Sequence, residues 1–380
     1  MKIFFTANVL WDIYIFRGGV IKALVEAGHD VTVVAPYETR IDISKELGVK
    51  VINIHLNKRG MNPIEDFKLF TELYKIYKKE KPDIIFHYTI KANIYGTIAA
   101  HFAKIKSIAI LTGLGYAFVT NSLVSKIAKS LYKYSLPFAE EVCVLNEDDK
   151  NLLVSEKIIK EDKVFILPGE GINTEKFSPM KKTLNLTNEK IIFLMIARAF
   201  FDKGVKEYVE AAENIKNIYP NTEFQFLGAL GGNSVSGINE EQMKSFVDKG
   251  IINYLGTVND VREIIKNVDC IILPSYREGI SRTLLEGASM EKPLIATNVT
   301  GCKEIIIDNV TGCKEIIIDN VSGFLVKPKN SEDLTEKIKK FILLSEEEKI
   351  SFGKNGRKHV INNFDEKIII DIYKNRWCNK

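Results

Sequence analysis

Short apolar runs alternate with amphipathic segments along most of the chain. Runs such as Lys2–Thr6, Ile84–His87 and Cys270–Leu273 have the composition of buried strands. The segments between such runs, for example Pro63–Lys79 and Val205–Ile218, carry apolar residues at helical spacing. Because strands and helices follow one another in this way, the pattern predicts an α/β fold of parallel sheets with helices on both faces.

The alternation is interrupted once, near the middle of the chain, by a polar segment that contains prolines and glycines. A chain of 380 residues is long enough for two α/β domains that each have a core. We therefore predict an N-terminal domain at residues 1–170, a linker at 171–188 and a C-terminal domain at 189–362. The last residues, 363–380, are predicted to form a terminal helix.

Composition excludes several classes of protein. The formal net charge is only +4, so neither a disordered chain nor a nucleic-acid-binding tail is expected. The five cysteines form no Cys-x-x-Cys or Cys/His cluster, which argues against a structural zinc site. Cys143 and Cys270 lie in apolar strands and are predicted to be core thiols. No apolar run reaches the length of a membrane span.

Two glutamates, Glu278 and Glu286, stand eight residues apart after an apolar strand. Gly279 follows the first, and Ser281 is a favourable N-cap for the helix that contains the second. The amides at the helix start, near Ile280 and Ser281, lie between the two carboxylates, where an anion is favoured. A carboxylate on each side of an anion site fits a sugar nucleotide, which has a charged centre and hydroxyl groups at both ends.

Two cations follow the first strand of the predicted C-terminal domain. Arg198 comes directly after the strand, and Lys203 precedes Gly204, which opens a helix. This arrangement fits a diphosphate, because charge-assisted hydrogen bonds contribute about 1.5–3 kcal/mol each. Fixed cations would also stabilise the negative charge that develops on a departing diphosphate. The alternative is that both side chains are ordinary solvated cations.

These motifs resemble the retaining two-domain glycosyltransferases with the Glu-x7-Glu signature, glycosyltransferase family 4, over nearly the whole chain. The resemblance implies the GT-B fold, two doubly wound Rossmann-like domains facing across a cleft, with the last helix crossing back to the first domain. It implies a UDP-sugar as substrate and no cofactor or metal, with Glu278 near the sugar hydroxyls and Glu286 on the ribose. The expected catalytic residues are Glu278, Arg198 and Lys203. The expected donor-binding residues are Arg198, Lys203, Glu278, Gly279, Ile280, Ser281, Glu286 and Gly228.

The N-terminal domain is expected to bind the acceptor. Gly18 and Gly19 are predicted in the turn between the first strand and a helix that ends at Ala27. Residues 87–96 and 112–118 resemble a subgroup that adds N-acetylhexosamine to undecaprenyl-diphosphate-linked sugars. Many relatives place a histidine in the second of these segments, and its absence here leaves a catalytic histidine in doubt. The predicted acceptor-binding residues are Gly18, Gly19, His87, Lys91, Gly113, Gly115 and Tyr116; His87 is alternatively a core residue.

Residues 84–139 contain six lysines and no aspartate or glutamate. Lys126, Lys129 and Lys133 lie on one face of a predicted helix, and apolar residues lie on another. A basic amphipathic helix is typical of proteins that lie on anionic membranes. We therefore predict a cytoplasmic protein that associates with the inner face of the cell membrane. The alternative is a surface helix whose apolar face packs on the sheet.

One feature departs from the family. Residues 299–309 are repeated without change at 310–320, where the family has a single copy. The glycine in each copy disfavours a continuous helix, so two short helical turns joined by a loop are expected. Because the first copy follows the predicted strand Leu294–Ala296 directly, we expect the first copy to line the site. A neutral tandem duplication is the favoured explanation of the repeat.

The sequence thus predicts transfer of an N-acetylhexosamine from a UDP-sugar to a polyprenyl-diphosphate-linked sugar. Three alternatives stay open. A relative that builds lipopolysaccharide, O-antigen or capsule would use another UDP-sugar, and a binding protein would have the same site without turnover. A glycoside hydrolase also uses two carboxylates, but the paired cations favour a phosphate leaving group.

Overall fold

The computed structural model describes residues 1–38, 42–57, 62–114, 123–183, 190–232, 234, 236–307 and 321–379. Its contacts divide the chain into two compact units: unit 1 is Met1–Gly171 with Glu366–Lys380, and unit 2 is Ile172–Asp365. The sequence places these divisions at a linker, residues 171–188, and at residue 363. The described part of that linker beyond Gly171 belongs to unit 2, where the Ile172 amide donates to the Phe364 carbonyl at 2.9 Å.

Unit 1 contains one parallel sheet. Its strands are β1 (Lys2–Thr6), β2 (Asp30–Val34), β3 (Lys50–Ile52), β4 (Ile84–Tyr88), β5 (Lys106–Leu111), β6 (Glu141–Val144) and β7 (Val164–Ile166). In the described residues the sheet has seven strands in the order β3-β2-β1-β4-β5-β6-β7. The order reverses between β1 and β4, which makes the unit doubly wound.

The helices of unit 1 connect these strands. They are α1 (Leu10–Glu26), α2 (Ile43–Leu47), α3 (Pro63–Glu80), α4 (Thr97–Ala103), α5 (Leu123–Ser135) and α6 (Glu147–Ser155). A π-helical turn, Ala92–Gly96, precedes α4, and a 3₁₀ turn, Leu136–Phe138, follows α5. The C-terminal segment returns to this unit as a helix at Glu366–Ile372 that continues into a π-helical turn, Tyr373–Trp377.

The predicted turn at Gly18 and Gly19 is wrong, because both glycines lie inside α1. A side chain at Gly19 would place its Cβ 2.5 Å from the Glu366 carboxylate of the C-terminal helix. At Gly18 a Cβ would meet Leu47 at an ordinary 3.8 Å. Gly19 therefore lies against the Glu366 side chain within unit 1, and nothing in this geometry resembles a phosphate-binding or acceptor-binding turn.

A buried cation joins α1 to the rest of unit 1. Arg17 is 2% exposed, forms an ion pair with Glu170, and places its guanidinium 4.5 Å from the centre of the Tyr88 ring. The Tyr88 hydroxyl in turn lies 2.5 Å from the Tyr373 hydroxyl. Burial of a charge is tolerated when it is paired and hydrogen-bonded in this way. The network therefore fixes the C-terminal segment against the first sheet.

Unit 2 repeats the architecture. Its strands are β8 (Ile191–Ile196), β9 (Thr222–Leu227), β10 (Asn253–Tyr254), β11 (Cys270–Leu273), β12 (Leu294–Thr297) and β13 (Gly323–Val326). Its helices are α7 (Val205–Ile218), α8 (Glu240–Asp248), α9 (Arg262–Ile265), α10 (Arg282–Ser289), α11 (Ser331–Ile342) and α12 (Glu346–Phe364). Among the described residues the parallel sheet has six strands in the order β10-β9-β8-β11-β12-β13. Two doubly wound parallel sheets confirm the predicted α/β, Rossmann-like fold.

The cores agree with the apolar pattern of the sequence. The strand residues of unit 2 pack against α7, α10 and α11 in one continuous cluster, to which Ile271, Leu284 and Phe341 contribute. Cys143 of β6 and Cys270 of β11 are both fully buried and free, as predicted for core thiols. Burial raises the pKa of each thiol well above its ordinary value, so neither is a reactive thiolate.

The repeated segment follows β12. In the first copy the described residues form turns, and Cys302 and Ile305 are fully buried in the core of unit 2. Ile307, near the end of the first copy, is hydrogen-bonded to Ser322, which follows the second copy. The Ser322 amide donates to the Ile307 carbonyl at 3.0 Å, and the Ile307 amide donates to the Ser322 hydroxyl at 2.9 Å. The second copy lies outside the described residues.

Deletion of residues 310–320 is therefore expected to leave the fold intact. The deletion keeps Asp308, Asn309 and Val321 between Ile307 and Ser322, so the paired ends remain close in sequence. A shorter connection lowers the entropic cost of closure, which we expect to stabilise the variant by about 1 kcal/mol or less. Denaturant titration of both proteins measures the difference. A loss of several kcal/mol would show that the second copy supports the core.

Candidate active site

The site begins with two loops that leave adjacent strands of unit 2. β8 and β11 are parallel neighbours, so their carboxyl ends lie at the same edge of the sheet. The loop after β11 is hydrogen-bonded to the loop after β8: the Tyr276 amide donates to the Asp202 carbonyl at 2.9 Å, and the Ser275 hydroxyl approaches the same oxygen at 3.3 Å. The topology therefore brings together two segments that are far apart in sequence.

The close approach of these loops depends on Gly204. Its φ is +78°, a left-handed conformation that favours glycine, and a Cβ there would lie 2.1 Å from the Pro274 carbonyl oxygen. Gly204 also directly precedes α7, so the same residue ends the first loop and starts the helix. Any side chain at this position would separate the loop after β8 from the loop after β11.

Lys203 and Glu278 form an ion pair in this setting. The Lys203 Nζ donates to Glu278 Oε1 at 2.7 Å, and each side chain is 17% exposed. The sequence predicted that both residues act at one site, and the structure places them in contact. The pair provides a cation that can bind a phosphate. One hydrogen bond away, it provides a carboxylate that can accept from a sugar hydroxyl. Glu278 lies in the loop after β11, as predicted.

The first copy of the repeat forms the other wall of the Glu278 loop. The Glu278 amide donates to the Thr300 carbonyl at 2.9 Å, and the Ser281 amide donates to the Gly301 carbonyl at 2.8 Å. Gly301 has φ +81°, and a Cβ there would lie 2.5 Å from the Glu278 carbonyl oxygen. The expectation that the first copy lines the site is confirmed for its described residues. The roles of Thr300 and Gly301 were missed, although a glycine just after a strand end signals close backbone approach.

The start of α10 is arranged differently from the prediction. Ser281 is the N-cap, as expected, and its hydroxyl accepts from the Leu284 amide at 3.4 Å. Its own amide is already used by Gly301, so the predicted contact between the Ser281 amide and an anion does not fit this arrangement. Gly279 and Ile280 are partly exposed and lie between Glu278 and the helix start. The two predicted donor-binding positions therefore remain at the edge of the site.

Glu286 lies five residues into α10 and is 9% exposed. The Arg282 Nε donates to Glu286 Oε1 at 2.8 Å, one helical turn away. Burial raises the pKa of the Glu286 carboxyl, and the neighbouring Arg282 guanidinium limits that rise. Two more distant charges act in opposite directions, since Lys176 lowers this pKa and Asp260 raises it. The sequence analysis did not identify Arg282, although i,i+4 spacing from Glu286 was visible.

Arg198 is exposed at the carboxyl end of β8. Its guanidinium lies 5.2 Å from the centre of the Phe200 ring, and no ion pair joins it to another residue that the structure describes. The structure therefore keeps Arg198 on the same loop as Lys203 but outside the Lys203–Glu278 pair. An exposed guanidinium is available to an anion from solvent, which is the role predicted for it.

Gly228 follows β9 and has a structural reason to be glycine. A Cβ there would lie 1.9 Å from the Ala197 carbonyl oxygen. Its amide donates to the Gly256 carbonyl at 2.7 Å, and its carbonyl accepts from the Tyr254 hydroxyl at 3.0 Å. Gly228 thus allows the ends of β8 and β9 to approach closely. Because its amide and carbonyl are both hydrogen-bonded, its backbone is not available for the predicted contact with the donor.

His87 is a core residue, so its prediction as an acceptor-binding residue is corrected. The side chain is fully buried in β4, with Nε2 3.1 Å from the Tyr77 hydroxyl and Nδ1 3.3 Å from the Thr97 hydroxyl. Burial lowers its pKa to about 3, which keeps the ring neutral. Gly96 packs against it, since a Cβ there would lie 2.6 Å from the imidazole.

Lys91 is 9% exposed and donates to Asp66 at 2.7 Å, while the Tyr95 hydroxyl donates to the other oxygen of the same carboxylate at 2.8 Å. Lys91 also lines a small cavity of about 180 Å³ beside His55 and Asn57. The lysine is therefore neutralised within unit 1. Gly113 lies directly after β5, whereas Gly115 and Tyr116 lie outside the described residues.

The lysines of α5 do not behave alike. Lys126 and Lys133 are exposed, whereas Lys129 is half-buried and forms a 2.6 Å ion pair with Glu156. The apolar residues of α5 divide between two faces. Ala128 and Leu131 pack against the core of unit 1, as the alternative of an ordinary surface helix requires. Leu123 and Tyr134 are 74% and 73% exposed, whereas Ser125, Tyr132 and Ser135 are buried. The outer face of α5 therefore combines apolar side chains with free lysines. None of the helices described here is long and apolar enough to cross a membrane.

The site residues of unit 2 carry charges of both signs on the segments that follow β8 and β11, with Lys203 and Glu278 in direct contact. Lys203 and Arg198 supply cations, and Glu278 and Glu286 supply carboxylates on the loop and helix that follow β11. Such a site can bind a polyol diphosphate and stabilise the charge that forms when the phosphate leaves. Among the described residues no cluster of three or more His, Cys, Asp or Glu side chains is arranged to hold a metal ion.

Comparison with known proteins gives two family matches. Residues 190–343 match the family described as "Glycosyl transferases group 1", and residues 2–146 match "Glycosyl transferase 4-like". The first match covers the loops after β8 and β11 and the repeat, and the second covers most of the sheet of unit 1. The two matches therefore correspond to the two units of the fold.

Individual proteins are similar over longer stretches. The chain is 33% identical, over 98% of its length and 97% of the other, to the Campylobacter jejuni N,N'-diacetylbacillosaminyl-diphospho-undecaprenol alpha-1,3-N-acetylgalactosaminyltransferase. It is 31% identical to the Escherichia coli UDP-Gal:alpha-D-GlcNAc-diphosphoundecaprenol alpha-1,3-galactosyltransferase, over 64% of this chain and 65% of that protein. The crystal structure of a Rickettsia africae glycosyltransferase superimposes with a TM-score of 0.77 at 23% identity, covering 100% of this chain and 99% of that one.

Replacement of Arg282 by leucine is expected to weaken UDP binding by about tenfold, the effect of losing one charge-assisted hydrogen bond. Without the guanidinium, the pKa of Glu286 rises further, and the carboxyl is protonated at a higher pH. As the pH is lowered, the UDP affinity of R282L should therefore begin to fall at a higher pH than the UDP affinity of the unmodified protein. Calorimetric titration with UDP across the pH range measures both effects.

R282K is the matched variant, because it keeps the positive charge without the planar guanidinium. R282K should restore the pH dependence of UDP binding more fully than it restores the UDP affinity itself. Identical pH profiles in R282L and the unmodified protein, with both proteins equally stable to heat, would show that Arg282 does not control the protonation of Glu286.

Proposed function

The chain belongs to glycosyltransferase family 4, the enzymes with the GT-B fold, and from that premise we propose that it transfers an N-acetylhexosamine, with GalNAc the first choice, from a UDP-sugar to an undecaprenyl-diphosphate-linked saccharide. The reaction we propose retains the anomeric configuration. It takes place at the cytoplasmic face of the membrane, in the assembly of a glycan for protein N-glycosylation. The observation that carries the proposal is the Lys203–Glu278 pair, whose lysine lies on the same loop as Arg198.

The choice of substrates is supported by the relatives. The Campylobacter jejuni protein, similar over nearly the whole chain, is an N-acetylgalactosaminyltransferase that acts on a diphospho-undecaprenol-linked sugar. The Escherichia coli protein uses UDP-Gal and a diphosphoundecaprenol-linked acceptor. Both names share a lipid-diphosphate acceptor and a hexose donor. They differ in the sugar that is transferred, so a comparison of donor sugars is the direct test of this part of the proposal.

The site supports the chemistry at the donor. Breaking the bond between the sugar and the diphosphate leaves negative charge on the β-phosphate, and Lys203 and Arg198 are the cations placed at the carboxyl end of β8 to receive it. Glu278, whose carboxylate already accepts from Lys203 at 2.7 Å, is placed to accept from a sugar hydroxyl. These side chains bind and neutralise the leaving group without a metal, so we expect transfer to continue in the presence of a chelator.

The acceptor hydroxyl then attacks the anomeric carbon on the face from which the diphosphate leaves, and its proton passes to a β-phosphate oxygen. This route needs no protein base, and the buried, neutral His87 is not placed to act as one. The ribose is assigned to Glu286, held by Arg282. Of the residues predicted at the acceptor, Lys91 and Gly113 remain candidates, with Gly115 and Tyr116 outside the described residues.

A transfer assay tests the proposal. We expect the purified protein to convert a short-chain prenyl-diphosphate-linked N-acetylated sugar to the disaccharide with UDP-GalNAc, faster than with UDP-GlcNAc or UDP-Gal. E278Q should lower kcat about a hundredfold while UDP affinity changes little, because the lost interaction is with the sugar. E213Q, a matched change at an exposed position of α7, should leave the rate unchanged.

Each other outcome of the assay has a defined meaning. An α-linked product, identified by NMR, is expected from an α-linked donor; a β-linked product would contradict retention. Release of free sugar at the same rate with and without acceptor would indicate a hydrolase. Faster transfer with UDP-Gal would reassign the donor to the chemistry named for the Escherichia coli relative.

We also propose that the protein lies on the membrane through the outer face of α5. The exposed Leu123, Ile127 and Tyr134 share that face with the exposed Lys126 and Lys133. Apolar side chains flanked by lysines are the composition of a helix at an anionic interface. Unlike these two lysines, Lys129 is already paired with Glu156, so it contributes less to the surface potential.

Replacing both Lys126 and Lys133 by glutamate is therefore expected to lower binding to phosphatidylglycerol-containing vesicles by at least tenfold, since each lysine near such a surface contributes about 1 kcal/mol. K129Q, which removes the paired lysine, should change binding little. Vesicle sedimentation at low and high salt measures both. Equal sedimentation of the double variant and the unmodified protein would exclude α5 as the contact.

A further inference from the structure

Five aromatic rings form a connected row on unit 1, which we call the aromatic strip: Phe67, Phe70, His101, Phe102 and Phe138. The Phe67 and Phe70 rings lie 6.1 Å apart, Phe70 meets the edge of Phe102 at 6.1 Å, and His101 is 5.7 Å from Phe102. The row ends where His101 stacks on Phe138 at 4.2 Å. The strip joins α3, α4 and the 3₁₀ turn after α5.

Three of the phenylalanine rings of the strip face solvent, whereas Phe70 packs against the core of unit 1. Phe67 is 65% exposed, Phe102 59% and Phe138 43%. Single exposed apolar side chains are ordinary, but a row of contacting aromatic rings is a continuous apolar patch. The stability of unit 1 does not require these three rings, because each leaves much of its surface uncovered. The patch is therefore suited to burying that surface against something outside the chain.

The strip continues the face that we propose for membrane contact. Phe138 follows α5 after only a short turn, and Ile64 on α3 adds a further apolar side chain that is 68% exposed. α3 packs against α4, and α4 contacts the 3₁₀ turn Leu136–Phe138 that follows α5. The strip is thus an aromatic extension of the α5 surface across two neighbouring helices.

The charges around the strip select its partner. Residues 84–139 contain no acidic residue, and three of their lysines, Lys104, Lys126 and Lys133, are exposed and outside the ion pairs of the described residues. α3 adds four more exposed lysines: Lys68, Lys75, Lys78 and Lys79. Two of the four acidic side chains of α3 are paired with lysines, Asp66 with Lys91 and Glu80 with Lys2 and Lys50. Glu72 contacts His55, and the exposed Glu65 accepts from the Asn57 amide, so exposed lysines still outnumber acidic residues on this helix. A second copy of the chain would bring lysines against lysines, whereas an anionic lipid surface would neutralise them.

We propose that the aromatic strip inserts into the headgroup region of an anionic bilayer, while the lysines of α5 contact the lipid phosphates. Aromatic side chains are favoured at this depth of a membrane, where a ring has both apolar and polar surroundings. The two parts of the surface act differently, since insertion of rings is insensitive to salt and attraction of lysines is screened by it. The proposal rests on the proposed membrane association and divides it into two separable contributions.

The decisive experiment compares variants on vesicles of phosphatidylcholine and phosphatidylglycerol in equal amounts. Replacing Phe67 and Phe102 together by serine is expected to lower vesicle binding about tenfold at both low and high salt. The K126E and K133E pair should lower binding mainly at low salt. The matched control replaces Leu343 and Ile350 of unit 2, 73% and 55% exposed, by serine and should bind like the unmodified protein.

A second measurement reports insertion directly. F102W should gain fluorescence that brominated-chain lipids quench, while L343W, in unit 2, should not be quenched. Unchanged binding of the double serine variant, or no quenching of F102W on bound vesicles, overturns the proposal. A dimer that dissociates in the serine variant, seen by light scattering without lipid, would also overturn it by assigning the strip to a second copy of the chain.

The outcome is independent of the enzyme assignment. The serine variant should transfer sugar to a short-chain, water-soluble acceptor at the unmodified rate, because the strip and the Lys203–Glu278 pair belong to different units. If neither protein transfers sugar, the proposed function fails, and the vesicle comparison still decides whether the strip inserts.

Discussion

The contact between the Gly204 backbone and the Pro274 carbonyl oxygen is the constraint on which the site of unit 2 depends. Only a residue without a side chain lets the loop after β8 lie this close to the loop after β11. The same approach allows the Tyr276 amide to reach Asp202 and the Lys203 ammonium to reach Glu278. Because both loops leave neighbouring parallel strands, the sheet supplies the rigidity, and the charges are held before any ligand is bound.

Local parts of this arrangement followed from the sequence. Ser281 was predictable as an N-cap because a short hydroxyl side chain precedes an amphipathic helix, and Glu278 was predictable as a loop residue because it follows an apolar strand and a proline. The contact between Lys203 and Glu278 was not derivable from spacing, since it depends on β8 and β11 being neighbours. The contact between Arg282 and Glu286 was predictable, because the two residues stand at i,i+4 spacing on a helix.

In unit 1, site predictions that were made from residue type alone disagree with the structure. Two adjacent glycines after a strand indicate a phosphate-binding turn, yet Gly18 and Gly19 are inside α1. The buried positions Leu10, Ile13 and Arg17 already had helical spacing, but a charged residue among them obscured the pattern. That arginine is buried because Glu170 and Tyr88 surround it, partners that are remote in sequence. His87 is a similar case, since its neighbours, rather than its type, decide that it is neutral and enclosed.

The repeat shows that the position of a segment in the fold is not determined by the sequence of that segment alone. Both copies have the same sequence, so no propensity or pattern within them distinguishes the copy that contacts Glu278. The distinction comes from what precedes each copy: the first follows β12 directly, and this brings Gly301 beside Glu278 and buries Cys302 and Ile305. The Ile307–Ser322 hydrogen bonds then close the core on the far side of the repeat. The described residues of the first copy therefore contact the Glu278 loop and also contribute to the core of unit 2.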